Sequence, residues 1–236
     1  MTELPPQLAH QRSLEKLYLY EMNFKALLVG IGCLGNLKVL KLGSDSLEVL
    51  PPSVGGLKSL KNLRLCTSPK LIRLPDAFGL LTQLTELKLF NCGIQYLPRD
   101  ILKMNNLEIL EIDQCPVREL PFQTMKEEVG GLILLKQLHL LRSDISTVSF
   151  PVSVCPNLRH LMMDSCKNLV EVGDLPTTLK SLFLLHCNEL RQIRGLQLEK
   201  LQRLDINGCH KIEELPNLEM LVSEANFQET IDLSPL

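Results

Sequence analysis

Tryptophan is absent from this chain, and aromatic residues of every kind make up only 4% of it. A chain with few aromatics fills its core mainly with aliphatic side chains, and leucine supplies most of them, which points to one packing solution used many times. Strong charge of either sign is missing too: 25 Lys and Arg stand against 27 Asp and Glu, a formal net charge of -2. That balance argues against nucleic acid or an anionic membrane surface as the main partner, because both demand a basic footprint. No apolar run approaches the ~18 residues of a membrane span. The longest, around Leu132–Leu135, is cut by Lys136. The opening MTELPPQLAHQRS lacks the apolar core of a secretory signal, and no Asn-x-Ser/Thr glycosylation acceptor occurs anywhere.

The signatures of catalysis are missing as well. There is no Gly-x-x-x-x-Gly-Lys-Ser/Thr phosphate loop, no His-Glu-x-x-His, no Gly-x-Ser-x-Gly elbow and no kinase signature set. Gly55-Gly56 and Gly130-Gly131 fall in segments that return between strands, not directly after strands where a phosphate cradle would sit. The chain therefore reads as non-enzymatic, with no cofactor and no metal.

What is present is repetition. Leu4 opens LPPQLAHQRSLEKLYL and Leu50 opens LPPSVGGLKSLKNLRL, nearly the same phrase. The frame Leu-x-x-Leu-x-Leu-x-x-(Cys/Asn-like)-…-Leu-x-x-Leu-Pro can be laid down nine times, from Leu14, Leu37, Leu60, Leu84, Leu107, Leu135, Leu158, Leu179 and Leu201. A degenerate further copy starts at Leu218. The spacing of about 23 residues is that of leucine-rich repeats, so the expected fold is an α/β solenoid. It is a horseshoe with a concave parallel β-sheet and a convex side of short helices and turns, one domain over residues 1–236.

In the unit Leu84-Thr-Glu-Leu87-Lys-Leu89, strand alternation turns Leu87 and Leu89 inward and Glu86, Lys88 and Phe90 outward. Leu84 packs beneath, Cys92 marks the turn, Ile94 and Leu97 refill the core, and Arg99–Met104 returns along the outer arc. A single unit cannot bury its own apolar face, so stacking supplies the core. Thr124–Glu127 fits a capping box opening the longest return arc. Val172–Thr178 and Ile193–Leu198 are short and rich in breakers. Their arcs are expected as turns or extended chain, with a change of curvature after the sixth unit.

Eight cysteines are present, and Cys92, Cys115, Cys166, Cys187 and Cys209 occupy the same ninth position of the unit. Asp45, Ser68 and Ser143 hold the equivalent place, sharing small size and hydrogen-bonding ability, which reads as a structural ladder and not as disulfides or a metal site. No Cys-x-x-Cys pair exists. A reduced, cytoplasmic compartment is the expectation. Cys33, Cys66 and Cys155 lie off the ladder, with Cys66 expected on the concave surface. His139, His160 and His186 come from adjacent units and read as solvated concave residues. The N-terminal LPPQLAH reads as the tail of a repeat whose strand is absent, so the polar cap of a free-standing solenoid is missing from the pattern and the first strand edge is open. Asn217–Leu236 drifts off the pattern as a makeshift cap.

Leu201-Gln-Arg-Leu-Asp-Ile-Asn-Gly-Cys-His-Lys-Ile-Glu-Glu-Leu-Pro216 resembles the repeat of plant intracellular nucleotide-binding immune receptors, the disease-resistance proteins. Leu158–Val172 and Leu179–Ile193 match it too, and the resemblance covers essentially the whole chain. It implies a domain that recognises a pathogen effector or a guarded host protein. It implies as a second partner the receptor's own nucleotide-binding module, which this chain does not contain. A stand-alone signalling scaffold and a substrate receptor of a ubiquitin ligase are the alternatives. The outward strand positions suggest where a protein partner sits. Lys41, Arg64 and Lys88 stack in one column, while Leu141, Met162, Phe183 and Leu185 form an apolar patch on three adjacent strands, with His139 and His160 beside it. Asp113, Asp164 and Asp205 flank the patch as an acidic rim.

Overall fold

The computed structural model describes residues 5–123, 131–151, 154–196 and 200–213. The Thr124–Glu127 capping box, the degenerate copy from Leu218 and the Asn217–Leu236 cap lie outside the described residues. Nine strands form one parallel sheet. They are β1 (Lys16–Leu19), β2 (Val39–Gly43), β3 (Asn62–Ser68), β4 (Glu86–Cys92), β5 (Ile109–Asp113), β6 (Gln137–Leu141), β8 (His160–Met162), β10 (Ser181–Phe183) and β12 (Arg203–Asp205). They pair in that order. Three further short strands, β7 (Thr147–Ser149), β9 (Glu171–Gly173) and β11 (Gln192–Ile193), make a second parallel sheet. Neighbouring strands pair at equivalent positions of the repeat, so one leucine in the frame becomes a column through the core. Leu37, Leu60, Leu84, Leu107, Leu135 and Leu158 are all at 0% exposure. Each such burial stabilises by about 1.5–3 kcal/mol.

The outer arcs of the early units are single 3-10 turns at Pro6–His10, Val29–Cys33, Pro52–Gly56, Asp76–Leu80 and Arg99–Lys103. Pro5, Pro51, Pro75 and Pro98 precede four of them in extended backbone. The fixed proline φ sets the entry angle, and the proline carbonyl accepts the amide three residues on, as from Val54, Phe78 and Ile101. The turns from Val29 onward each bury their central residue against the strand leucines: Ile31, Val54, Phe78 and Ile101. The arcs over Val172–Thr178 and Ile193–Gly195 carry no such helix: Glu171–Gly173 and Gln192–Ile193 are strands, and Leu179 N–H closes a turn on Pro176 O at 3.0 Å. The same column is marked in earlier units by isolated parallel bridges, Ala26 to Val49 and Arg73 to Tyr96 to Glu119.

The polar ladder is present, with one correction. Ser68 and Cys92 are register partners, and Cys92, Cys115, Cys166 and Cys187 are buried, Cys209 half-buried, all as free thiols. In the second unit the rung is Ser44, not Asp45: Ser44 is 3% exposed, and its hydroxyl accepts Phe24 N–H at 3.2 Å and donates to Phe24 O at 2.9 Å. Asp45 is exposed. The reason is backbone. The residue before the rung is left-handed at Thr67, Asn91, Gln114, Arg142, Ser165, His186 and Gly208, and the second unit lacks such a residue. Its rung therefore arrives one position early. A further set of rungs, not anticipated, precedes three of the first leucines: Asn36, Asn106 and Asn157 donate side-chain N–H groups to Arg12 O, Thr82 O and Ile133 O at 2.7–2.8 Å.

Candidate functional site: the concave sheet

Because the strands are parallel and in register, every outward side chain of the inner sheet belongs to a row crossing the molecule. The central row runs Tyr18, Lys41, Arg64, Lys88, Glu111, His139, Met162, Phe183, Asp205, each a Cα partner of the next. Lys41, Arg64, Lys88, His139, Met162 and Phe183, all candidates from the sequence, share this single row.

The N-terminal end of the row is basic and aromatic. Lys41 Nζ lies 5.1 Å from the centre of the Tyr18 ring, a cation–π geometry. Lys88 Nζ reaches Glu111 at 3.2 Å. Tyr18 and Tyr20 are the most exposed aromatics of this face, at 51% and 40%. Tyr20 lies over Gly43, where an added Cβ would stand 3.1 Å from its ring and 3.0 Å from Cys66 O. Burial, with Cys66 beside it, raises the Tyr20 phenol above its ordinary value. The two tyrosines were not picked out from sequence, although their alternation with Leu17 and Leu19 already placed them outward. Cys66 is half-buried on this face as expected, in register with Gly43 and Phe90.

The C-terminal end is apolar. Met162 and Phe183 are direct partners, and His139 adjoins Met162. All three are half-buried. Leu141 and Leu185 lie in the next row, where Asp164 comes between them: Arg142 N–H donates to Asp164 O and Ser165 N–H to Leu185 O. His160 pairs with Gln137 and Ser181, one row on the other side. Burial holds both His139 and His160 below the usual imidazole value. His186 sits left-handed at the strand edge, against Gly208.

The acidic rim is not what the sequence suggested. Asp113 is 7% exposed and spent on a bidentate pair, Arg142 Nε to Oδ1 at 2.9 Å and Nη2 to Oδ2 at 2.6 Å. Asp164 Oδ1 accepts Leu185 N–H at 3.0 Å, and burial raises its carboxyl. Asp205, beside Phe183, accepts Asn207 N–H at 3.1 Å. Two of the three carboxylates thus order strand ends, and the third holds Arg142. Among the described residues, no group of three or more His, Cys, Asp or Glu side chains is placed to hold a metal ion, and no helix is long and apolar enough to cross a membrane.

A parallel inner sheet, leucine columns and a return arc per unit define a leucine-rich-repeat solenoid. Among solved structures, the leucine-rich repeat domain of the type III effector XopL superposes with a TM-score of 0.63 at 23% identity, covering 95% of this chain and 70% of that one. No family model matches the chain. In sequence it is distantly homologous, over most of its length, to plant disease resistance proteins. It is 30% identical over 195 residues to disease resistance protein RPP2A of Arabidopsis thaliana, covering 75% of this chain and 14% of that protein. It is 27% identical over 198 residues to TMV resistance protein N of Nicotiana glutinosa, covering 73% and 17%. The chain spans between 10% and 22% of the length of such curated relatives.

Proposed function

We propose that this chain is a non-catalytic protein-recognition module, the ligand-sensing repeat domain of an intracellular immune receptor acting in defence signalling. The observation that carries the reading is the outward row. On a sheet face where any polar side chain would be accommodated, Met162 and Phe183 stand as register partners, and adjoining apolar side chains on an open face mark a binding surface. In this reading Phe183 and Met162 anchor a protein partner, Leu141, Leu185, His139 and His160 border it, and Lys41, Arg64 and Lys88 extend the footprint. A partner patch of about 800 Å² fits such a face. The repeats act as one continuous domain in the cytoplasm, and a nucleotide-binding module of the same receptor is the second partner. The much greater length of the relatives supports that last element.

The test is Phe183→Asp. Proteins retained from plant extract by the wild-type chain should be lost by the variant, with the circular dichroism melt nearly unchanged. Retention of the same proteins by Phe183→Asp moves the site elsewhere; unfolding would make Phe183 a core residue.

A further inference from the structure

At several places on this solenoid, charges that stack from one unit to the next meet their opposites. Glu15 meets Lys38 at 2.6 Å, Glu108 meets Lys136 at 2.8 Å, and Glu189 meets Lys211 at 2.6 Å. In the central concave row three cations come together before one of them, Lys88, meets a carboxylate, Glu111. Lys41, Arg64 and Lys88 follow one another on β2, β3 and β4 as direct partners, about 5 Å apart from strand to strand. Lys16 joins them in lining a concavity of about 310 Å³, with Tyr18, Asn62 and a single carboxylate, Glu86. The chain as a whole is acidic, so this patch runs against the charge of the molecule that carries it.

We infer that this cleft receives an acidic protein segment, whose carboxylates supply counter-charges to Lys41 and Arg64 and join Glu111 at Lys88. The inference rests on the reading of the concave sheet as a recognition surface and names the chemistry of what lies at its N-terminal end. An extended segment presents alternate side chains about 7 Å apart, so two or three carboxylates reach Lys41, Arg64 and Lys88 together. Arg64 is the centre of the set. Its planar fork takes a carboxylate bidentately, while Lys41 is steadied by the Tyr18 ring and Lys88 by Glu111. The net acidity of the chain disfavours a polyanion as large as nucleic acid, which needs a domain-wide basic footprint.

A fluorescein-labelled octaglutamate peptide, titrated with the whole chain in fluorescence anisotropy, tests this. It should bind at low salt, weaken as salt is raised, and lose about tenfold or more in affinity in Arg64→Glu. Octaglutamine should not bind. Arg64→Glu sets a carboxylate between two ammonium groups, so its melting temperature should hold or rise; if it falls, Lys41→Gln with Lys88→Gln serves in its place. Phe183→Asp should leave octaglutamate binding intact, which separates this inference from the apolar anchor. No binding, equal binding by Arg64→Glu and its substitute, or tighter binding of a DNA oligonucleotide of the same charge would each overturn it.

Discussion

The two ends of this solenoid solve the same packing problem with different outer walls. In the units from Val29 through Met104, each arc carries a 3-10 turn whose central residue, such as Phe78 or Ile101, fills the core behind the strands. In the later units the arcs are shorter, and the chain turns back close enough for β7, β9 and β11 to pair as a continuous second sheet. The inner strands shorten in parallel, from seven residues in β3 and β4 to three in β8, β10 and β12. Where the inner ladder stops early, carbonyls are left over, and the thiol rungs meet them. Cys166, Cys187 and Cys209 donate to Leu140 O, Met163 O and Leu184 O at 2.8–2.9 Å. In the long-strand half, Ser68 Oγ and Cys115 Sγ accept the amides of Ser44 and Cys92 at 3.4 Å and donate to Cys66 O and Asp113 O, two residues back on their own strands, at 3.0 and 3.4 Å. The lesson is that the same position of the repeat donates to a carbonyl of the preceding unit or accepts an amide from it according to how far the neighbouring ladder runs, while it can also donate within its own unit.

The deepest way to break this contrast is in the outer wall. Phe78→Ala should cost about 3–5 kcal/mol in urea unfolding, while Leu175→Ala, on a thin arc, should sit near the low end of about 2 kcal/mol. Equal costs would mean that the 3-10 turns contribute no extra core. Next come the rungs. Cys166→Ala orphans a buried carbonyl met at 2.9 Å and should cost about 1–3 kcal/mol, while Cys115→Ala removes two long thiol contacts, both at 3.4 Å, and should cost about 1 kcal/mol or less. Burial pushes the off-ladder Cys155 thiol up to about 12, and the neighbouring thiols together with burial raise Cys92 and Cys187. Cys187 in particular stands between Cys166 and Cys209, whose thiols and its own burial keep it protonated. The Cys187 thiol in turn lowers Cys166 to about 7, yet at 0% exposure Cys166 is closed to a reagent. Native-state alkylation should therefore label exposed Cys33 first and half-buried Cys66 next, leaving the buried rungs until denaturant is added. Rapid labelling of Cys166 or Cys187 would contradict the ladder.

Smaller still is the backbone term. Gln114 holds φ 52°, and Gln114→Gly should stabilise by about 0.5–1 kcal/mol once the left-handed cost is set against glycine's unfolded-state freedom. The least effect is in pH. His139, lowered by burial against the opposing pull of Glu111, takes a proton more readily in the unfolded chain. The stability it contributes is full above an ordinary imidazole pKa of about 6.5 and is lost as pH falls through that value toward the folded one. The melting temperature should drop between about pH 7.5 and about pH 5.5, and His139→Gln should flatten that drop. The basic half of the row holds no histidine, so Arg64→Gln should leave the slope alone.

The sequence made the repeating features legible and hid the ones that depend on a local exception. In-register pairing follows from the period itself, which is why Lys41, Arg64 and Lys88 fall in one column and Met162 meets Phe183. The inward leucines and the thiol rungs were equally plain. The shift from Asp45 to Ser44 was not, because it turns on the missing left-handed residue, a backbone fact with no residue type attached. Arg142 reaching back to Asp113 was hidden for a similar reason: it depends on where a strand-edge side chain folds. The asparagine ladder had a signal, the recurring Asn-Leu at Asn36, Asn106 and Asn157, but it was masked by the louder leucine frame.

The left-handed position that closes most of the inner strands has a consequence for how such a surface changes over time. Glu21, Thr67, Asn91, Gln114, Arg142, Ser165 and His186 all adopt it, and most of them are exposed. Their side chains differ in charge, size and polarity, yet the backbone does the same thing at every one. The stacked units impose the conformation, so the residue occupying it is released from the task of specifying the fold. The edge of the concave sheet thus behaves as a row of interchangeable type set in a fixed frame, where new lettering alters what the surface presents and leaves the frame standing.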